Sequence, residues 1–198
     1  MKLATSKLRE RVISAELADW PRILPTKHRA TPAGAGFGSS RYSSPTDAFR
    51  VLYAAVDFPT AFAEAVVRDR FEGKTRRFLY RPHLEQVCLT TVSSSRELVL
   101  LDLRGAGAYE LGIDTDASRA RDHTVGQTFS QAVHDELPDV DAILFDSRLT
   151  NGACVAIFDR AFSALSATVP IALMQAALLP VEITRLNIIL RRERGYAP

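Results

Sequence analysis

Arg41, Tyr53 and Glu64 fall within one stretch, Gly34 to Phe71, reading GAGFGSSRYSSPTDAFRVLYAAVDFPTAFAEAVVRDRF. A guanidinium grips a phosphate through two parallel hydrogen bonds, which suits Arg41 to an anionic ligand; the plainer reading is an exposed surface arginine. Tyr53 is either core or a platform for a flat ring with a hydroxyl free to hydrogen-bond. Glu64 is flanked by Ala61, Ala63 and Ala65, which leave space beside a carboxylate. Such a carboxylate can stabilise positive charge developing on a sugar carbon, or it can simply pair with Arg68 four residues on. Together these types suit an anionic, aromatic ligand with a reacting sugar.

Other candidates carry less. Gly34, Gly36 and Gly38 suggest a dinucleotide-binding turn, but no convincing strand precedes them and no helix follows, so they read either as a flexible loop passing close to a ligand or as a mere linker. Ser147 follows a strand and precedes Arg148 without the Gly-x-Ser-x-Gly elbow of a hydrolase nucleophile. His123 and His134 are eleven apart (134 − 123), too far for a helical metal pair, and read as surface or capping residues. Cys88 and Cys154 lie outside any CxxC or Cys/His spacing, so buried thiols are expected and neither a metal site nor a disulfide is.

The elements that must position these residues follow from pattern. Leu8, Val12, Ile13 and Leu17 near helical spacing predict a helix over residues 5 to 19, ended by Pro21. Residues 22 to 41, rich in Pro, Gly, Ser and Ala, read as a long functional loop. Arg50 to Ala55 (RVLYAA) predicts a strand, after which Asp57 or Phe58 caps a helix with Pro59 in its first turn, running to about Phe71. On that helix Glu64 shares a face with Thr60, Val67 and Phe71. Residues 72 to 83 read as a charged connection or an exposed hairpin. Leu84 to Val92 and Leu98 to Leu103 read as strands, and a helix capped within Asp114 to Ser118 runs to about Leu137. Asp141 to Phe145 and Ala153 to Phe158, joined through Asn151-Gly152, make a hairpin. Val169 to Leu179 reads as a buried element, and Val181 to Leu190 as either strand or helix. Strands and helices thus intermix without regular βαβ alternation, which predicts an α+β domain with a mixed or antiparallel sheet.

Composition bounds the rest. The 198 residues fit one domain spanning 1 to 198, with an ordinary hydrophobic share of 46% and a charged share of 24%. A formal net charge of +2 gives no general reason to expect nucleic acid, so phosphate binding must be local. Charges interrupt the N-terminal segment before a signal peptide could form, and no apolar run is long enough to span a bilayer, so a cytoplasmic protein without a membrane partner is expected.

At three places, GSSRYSSP, VLYAAVDFPTAFAEAVVRDRF and DAILFDSRLTNGACVAIFDRA, the chain resembles the RES family of bacterial toxins, named for an arginine, a glutamate and a serine. The resemblance covers about residues 20 to 165. It matches the arginine to Arg41, the glutamate to Glu64, the serine to Ser147 and the family's strand tyrosine to Tyr53, eleven positions before Glu64 (64 − 53). It implies an ADP-ribosyltransferase-like fold and consumption of NAD by cleavage of the nicotinamide–ribose bond, with inorganic phosphate or water as acceptor and no resident cofactor or metal. ADP-ribosyl transfer onto a macromolecule and a non-catalytic nucleotide- or antitoxin-binding module are the alternatives. The implied partner is a Xre-like antitoxin, with a homo-oligomer or a toxin–antitoxin hetero-oligomer as the assembly. In the reading this supports, Arg41 with Arg22 or Arg29 holds the pyrophosphate, Tyr53 packs on the nicotinamide end, Glu64 faces the reacting carbon, and Ser147 bonds ribose or the acceptor. The family's further upstream arginine is matched by Arg22, Arg29 or the Lys27-His28 pair, with Arg22 favoured.

Overall fold

In the computed structural model of the chain, which describes residues 5–68, 70–71, 74–111 and 123–192, two sheets lie back to back and one long helix covers the outer face of the larger. The strands are β1 (Val12–Ala15), β2 (Trp20–Pro25), β3 (Val51–Ala55), β4 (Arg77–Tyr80), β5 (Val87–Ser94), β6 (Leu98–Asp102), β7 (Ala142–Asp146), β8 (Ala153–Phe158), β9 (Leu165–Ala167), β10 (Ile171–Ala172) and β11 (Ile188–Arg191). The larger sheet has the order β1-β6-β7-β8-β3. Only β6 and β7 run parallel in it. The second sheet runs β10-β5-β2, with β9 also on β5, and β4 pairs with β11 in a parallel ribbon. The α+β class with a mixed sheet holds.

Period-two side-chain alternation sorts the larger sheet into two faces. Val51, Leu101, Ile143, Phe145, Ala156 and Phe158 pack with Phe129, Val133 and Leu137 of the Thr124–Glu136 helix region. Leu52, Leu100, Leu144, Val155 and Ile157 face the other way, toward Leu17, Val92 and Ala161. Strands buried on both faces read as continuous apolar runs, which is why AILF and CVAIF are legible as β7 and β8. Each fully buried aromatic, such as Phe129 or Phe158, contributes on the order of 2 kcal/mol by removing its ring from water.

Several expectations need correction. The helix over residues 5 to 19 is confined to Thr5–Arg9; Val12 and Ile13, β-branched residues that fit a pleat, instead pair with Leu101 and Leu100. Pro21 does not end a helix but stands within β2. It is tolerated there because β2 is an edge strand, where a missing N–H breaks no ladder between two neighbours. Arg22 therefore sits on a strand rather than in the loop. The segment between Phe71 and β5 supplies β4 and a short helix, Arg81–Glu85 with Pro82 in its first turn, so the strand expected from Leu84 begins at Val87. Residues 169 to 179 are only partly buried: Leu173 and Leu179 are inside, whereas Val169 is 84% exposed. The tail is both helix, Leu179–Arg185, and strand, β11. The cap expected at Asp114 to Ser118 lies outside the described residues.

Candidate active site

The helix that carries Glu64 starts as the sequence dictates. Asp57, in extended conformation, accepts from Thr60 N at 2.8 Å, and Pro59 occupies the first turn. The α-helical part stops at Phe62. Ala63–Val67 continues as a π-helical turn, closed by Arg68 N donating to Ala63 O at 2.8 Å. Widening the turn by one residue ends the helix at Val67, so Phe71 does not share its face as the 3.6-residue spacing suggests. Single π turns of this kind recur at functional sites. This one contains Glu64.

Glu64 is held from two sides. Its Oε1 accepts from Ser147 Oγ at 2.6 Å, and its Oε2 pairs with Arg68 Nη1 at 3.2 Å. Ser147 is 1% exposed, at the start of the loop between β7 and β8, where its amide bonds Gly152 O at 2.9 Å. Asn151 takes a positive φ of 57°, a conformation asparagine enters more readily than most residues, and so lets this loop fold back on itself. The salt bridge with Arg68 and a place in the cavity, alternatives in the sequence, are thus both realised.

A cavity of about 210 Å³ opens beside this carboxylate, lined by Arg22, Arg41, Tyr53, Glu64, Arg68 and Cys154 among others. Arg41 is the informative member. Its side chain is on the residue the sequence placed at the end of the glycine-rich loop, yet it is only 4% exposed, and its Nε and Nη2 have no hydrogen-bond partner. Burial, opposed by the Tyr42 side chain and Glu64 and reinforced by the neighbouring Arg68 and Arg148 cations, holds its guanidinium below the ordinary arginine range. A buried cation with idle donors is costly unless an anion completes it.

The Arg41 loop is gripped from two directions. Tyr42 N donates to Tyr53 Oη at 2.9 Å, so the oxygen of the Tyr53 hydroxyl helps fix the loop while its own hydrogen is not used in this bond. Along one face of the Thr124–Glu136 helix region, His123, Gln127, Ser130 and Gln131 reach Ser39 O, Ser40 O, Tyr42 O and Ser44 Oγ at 2.8, 3.2, 2.7 and 2.9 Å. These positions repeat at helical spacing, a signal the sequence carries but one that becomes readable only once the loop is known to cross the helix. His123, read from sequence as a surface or capping residue, makes no side-chain cap and belongs to this grip.

Arg22 lines the cavity from β2. Its Nη1 and Nη2 donate to Tyr53 O and Gly34 O at 3.3 and 3.0 Å, and burial lowers its guanidinium to about 10. Arg29 is exposed, beyond the short turn Thr26–His28, and does not line the cavity. The cavity therefore takes up Arg22, Arg41, Tyr53 and Glu64; Ser147 stands behind Glu64, and Arg29 lies apart. Burial, and then the Glu64 and Asp146 carboxylates, push the Cys154 thiol up, so the cysteine is a neutral part of the wall.

A larger concavity of about 700 Å³, on the far side of the π turn, is bordered by Lys74, Arg77, Arg148 and Arg185. Among the described residues no carboxylate lines it, whereas the smaller cavity pairs an acid with unsatisfied cationic donors. Among the described residues no three His, Cys, Asp or Glu side chains are placed to hold a metal ion, and no helix is long and apolar enough to cross a membrane.

Fold and cavity together define an α+β protein whose cavity sets unpartnered guanidinium nitrogens beside a carboxylate. The chain belongs to the RES domain family, whose model matches residues 15–181. It is 42% identical over 103 residues to a Sinorhizobium fredii protein named probable toxin y4kH, a match that covers 50% of this chain and 80% of that protein. Its fold is shared with a chain of the crystal structure of the Mycobacterium tuberculosis MbcT–MbcA toxin–antitoxin complex, with a TM-score of 0.64, 17% identity, and coverage of 84% of this chain and 89% of that one. The α+β fold with a mixed sheet expected from the sequence is the one observed, and it is shared with that chain.

Proposed function

We propose that this chain is the toxin of a toxin–antitoxin pair and that it degrades NAD by breaking the bond between nicotinamide and ribose, with inorganic phosphate or water as acceptor. The observation that carries the reading is Arg41, buried with two idle guanidinium nitrogens in the cavity that Glu64 lines. NAD supplies what both residues lack, a pyrophosphate for the cation and a sugar carbon that becomes positive for the carboxylate.

The chemistry asks little of the protein beyond placement. Nicotinamide leaves as a neutral ring, because the electrons of the breaking C–N bond cancel the charge on its nitrogen, so no general acid is needed. What must be stabilised is the oxocarbenium-like ribose, and Glu64, fixed by Ser147 and Arg68, lies ready to do so without reorganising. An oxygen of phosphate or water then forms the new bond to that carbon, and with water a proton is released. The product is ADP-ribose-1″-phosphate or ADP-ribose. A cavity of about 210 Å³ is below the range of roughly 300–1,000 Å³ that encloses a whole drug-sized ligand, so it accommodates the nicotinamide riboside end while the adenosine lies outside.

Ser147 serves in this scheme by orienting Glu64 rather than by touching ribose, since its hydroxyl hydrogen is spent on the carboxylate. Arg22 contributes positive charge behind Arg41 and holds the backbone at Gly34 and Tyr53. The partner is an antitoxin, in keeping with the name of the Sinorhizobium relative and with the complex that shares the fold. A Xre-like type and a cytoplasmic site of action complete the proposal.

Incubating the purified chain with NAD, with and without inorganic phosphate, tests it. Nicotinamide release is expected, with ADP-ribose-1″-phosphate increasing as phosphate is added. NAD that stays intact under both conditions would overturn the enzymatic reading in favour of a binding module. Labelled ADP-ribose appearing in protein would replace phosphate or water with a macromolecular acceptor.

A further inference from the structure

We infer that His123 is a positioning residue of this site: a neutral imidazole with its hydrogen on Nδ1 ties the Arg41 loop to the Glu64–Arg68 pair. The inference rests on the reading of the cavity as the reaction site.

The tautomer follows from the two partners. Ser39 O lies 2.8 Å from Nδ1, and a carbonyl oxygen only accepts, so Nδ1 must carry a hydrogen. Arg68 Nη2 lies 3.3 Å from Nε2, and a guanidinium only donates, so Nε2 must present its lone pair. Only the neutral Nδ1–H ring satisfies both contacts at once. A doubly protonated ring would set N–H against N–H at Arg68, and the opposite tautomer would leave both contacts unmade.

The consequence is a continuous chain of contacts from loop to acid. Ser39 is two residues before Arg41 and is held by Nδ1, while Gln127, one helical turn further on, holds Ser40 O at 3.2 Å. On the opposite edge of the ring, Nε2 receives Arg68 Nη2, whose Nη1 pairs with Glu64 Oε2 at 3.2 Å, and Ser147 holds the other carboxylate oxygen at 2.6 Å. His123 is the first member of the helix-borne row that grips the loop, and it also meets Arg68. It thereby sets the anion-binding side of the cavity relative to the side that faces the reacting carbon. It touches neither substrate nor reacting atoms, so its role is placement.

Each edge of the ring can be replaced separately. Asparagine puts an amide donor near the Nδ1 position and nothing at Nε2; glutamine puts an amide near Nε2 and nothing at Nδ1. His123→Gln is expected to raise KM for NAD about five- to tenfold with kcat near that of wild type, and His123→Asn to lower kcat by a similar factor with KM little changed, each reflecting one hydrogen bond. His123→Ala combines the two losses. The tautomer itself is read without any turnover, by long-range nitrogen–proton NMR of the wild-type protein, with the His123 signal identified by its absence from the His123→Gln spectrum. A neutral Nδ1–H pattern whose Nε2 signal moves in Arg68→Ala is expected. An Nε2–H or cationic ring, or Gln and Asn variants indistinguishable from Ala, would overturn the assignment. A wild-type chain that leaves NAD intact would defeat the proposed reaction instead, and the NMR pattern would then decide His123 by itself.

Discussion

The Ser147 hydroxyl donates to the Glu64 carboxylate at 2.6 Å across a sequence separation of 83 residues, joining the β7–β8 loop to the π turn that follows β3. A hydroxyl-to-carboxylate bond of this length is charge-assisted and among the stronger contacts a side chain makes. If Glu64 stabilises the transition state, Glu64→Gln lowers kcat for NAD cleavage by roughly 100-fold or more, since an electrostatic group aimed at developing charge is worth that much. Ser147→Ala leaves the carboxylate on Arg68 alone and costs about tenfold. The double variant falls little below Glu64→Gln, because Ser147 acts through Glu64; steady-state rates of nicotinamide release measure all three. Full additivity would show that Ser147 has a separate task.

If Arg41 serves a ligand, as proposed, its burial costs the empty protein stability. With Nε and Nη2 unpartnered in a site that is 4% exposed, its charge weakens the empty protein. Arg41→Met, similar in length and apolar, is expected to stabilise the unliganded chain by on the order of 1 kcal/mol in urea denaturation. The same variant loses measurable NAD binding in calorimetry. A variant less stable than wild type would show that some structural partner claims the guanidinium.

Tyr42 and Tyr53 resist ionisation. Burial pushes Tyr42 up to about 12, from an ordinary value of 10.0, and burial pushes Tyr53 up as well. A folded-state value above the unfolded one gives stability that is fully present below pH 10 and is lost as pH rises through about 12. Absorbance titration of phenolate should therefore show a late phase, above pH 10, to which Tyr42 and Tyr53 contribute. Their ionisation should coincide with alkaline unfolding followed by circular dichroism. Tyr42→Phe and Tyr53→Phe should each shrink the late phase.

Gly152 has no room for a side chain. A Cβ there would clash with Thr60 Oγ1 and lie 3.2 Å from Thr150 Oγ1, two hydroxyls that bond one another at 2.9 Å. Gly152 O also accepts from the Ser147 amide. Gly152→Ala is expected to cost about 1–3 kcal/mol, the usual penalty for forcing an extra methyl into a packed site. It should also reduce kcat, because the displaced loop carries Ser147. Gly105, which has open space around its Cβ position but a φ of +59°, provides a control in which backbone strain lowers stability without altering kcat.

What the sequence determined by itself is whatever local chemistry decides. Asp57 with Pro59 starts the Glu64 helix, RVLYAA makes a strand, DAILF and ACVAIF make buried neighbours, and the order of Arg41, Glu64 and Ser147 points to the RES family. Tertiary structure decided what depends on partners distant along the chain. Residues 12 to 15 became a strand because β6 was there to pair with them, and Pro21 entered β2 because an edge position forgives its missing donor. The same holds within the site, where Arg22 and not Arg29 reached the cavity, the Tyr53 hydroxyl oxygen accepted from the loop, and His123, half-exposed at the N-cap position, came to bridge Ser39 and Arg68. Propensity and spacing act over a few residues, whereas a hydrogen bond between residues 39 and 123 or 64 and 147 exists only after the sheet and the helix have packed, so no window of sequence contains it.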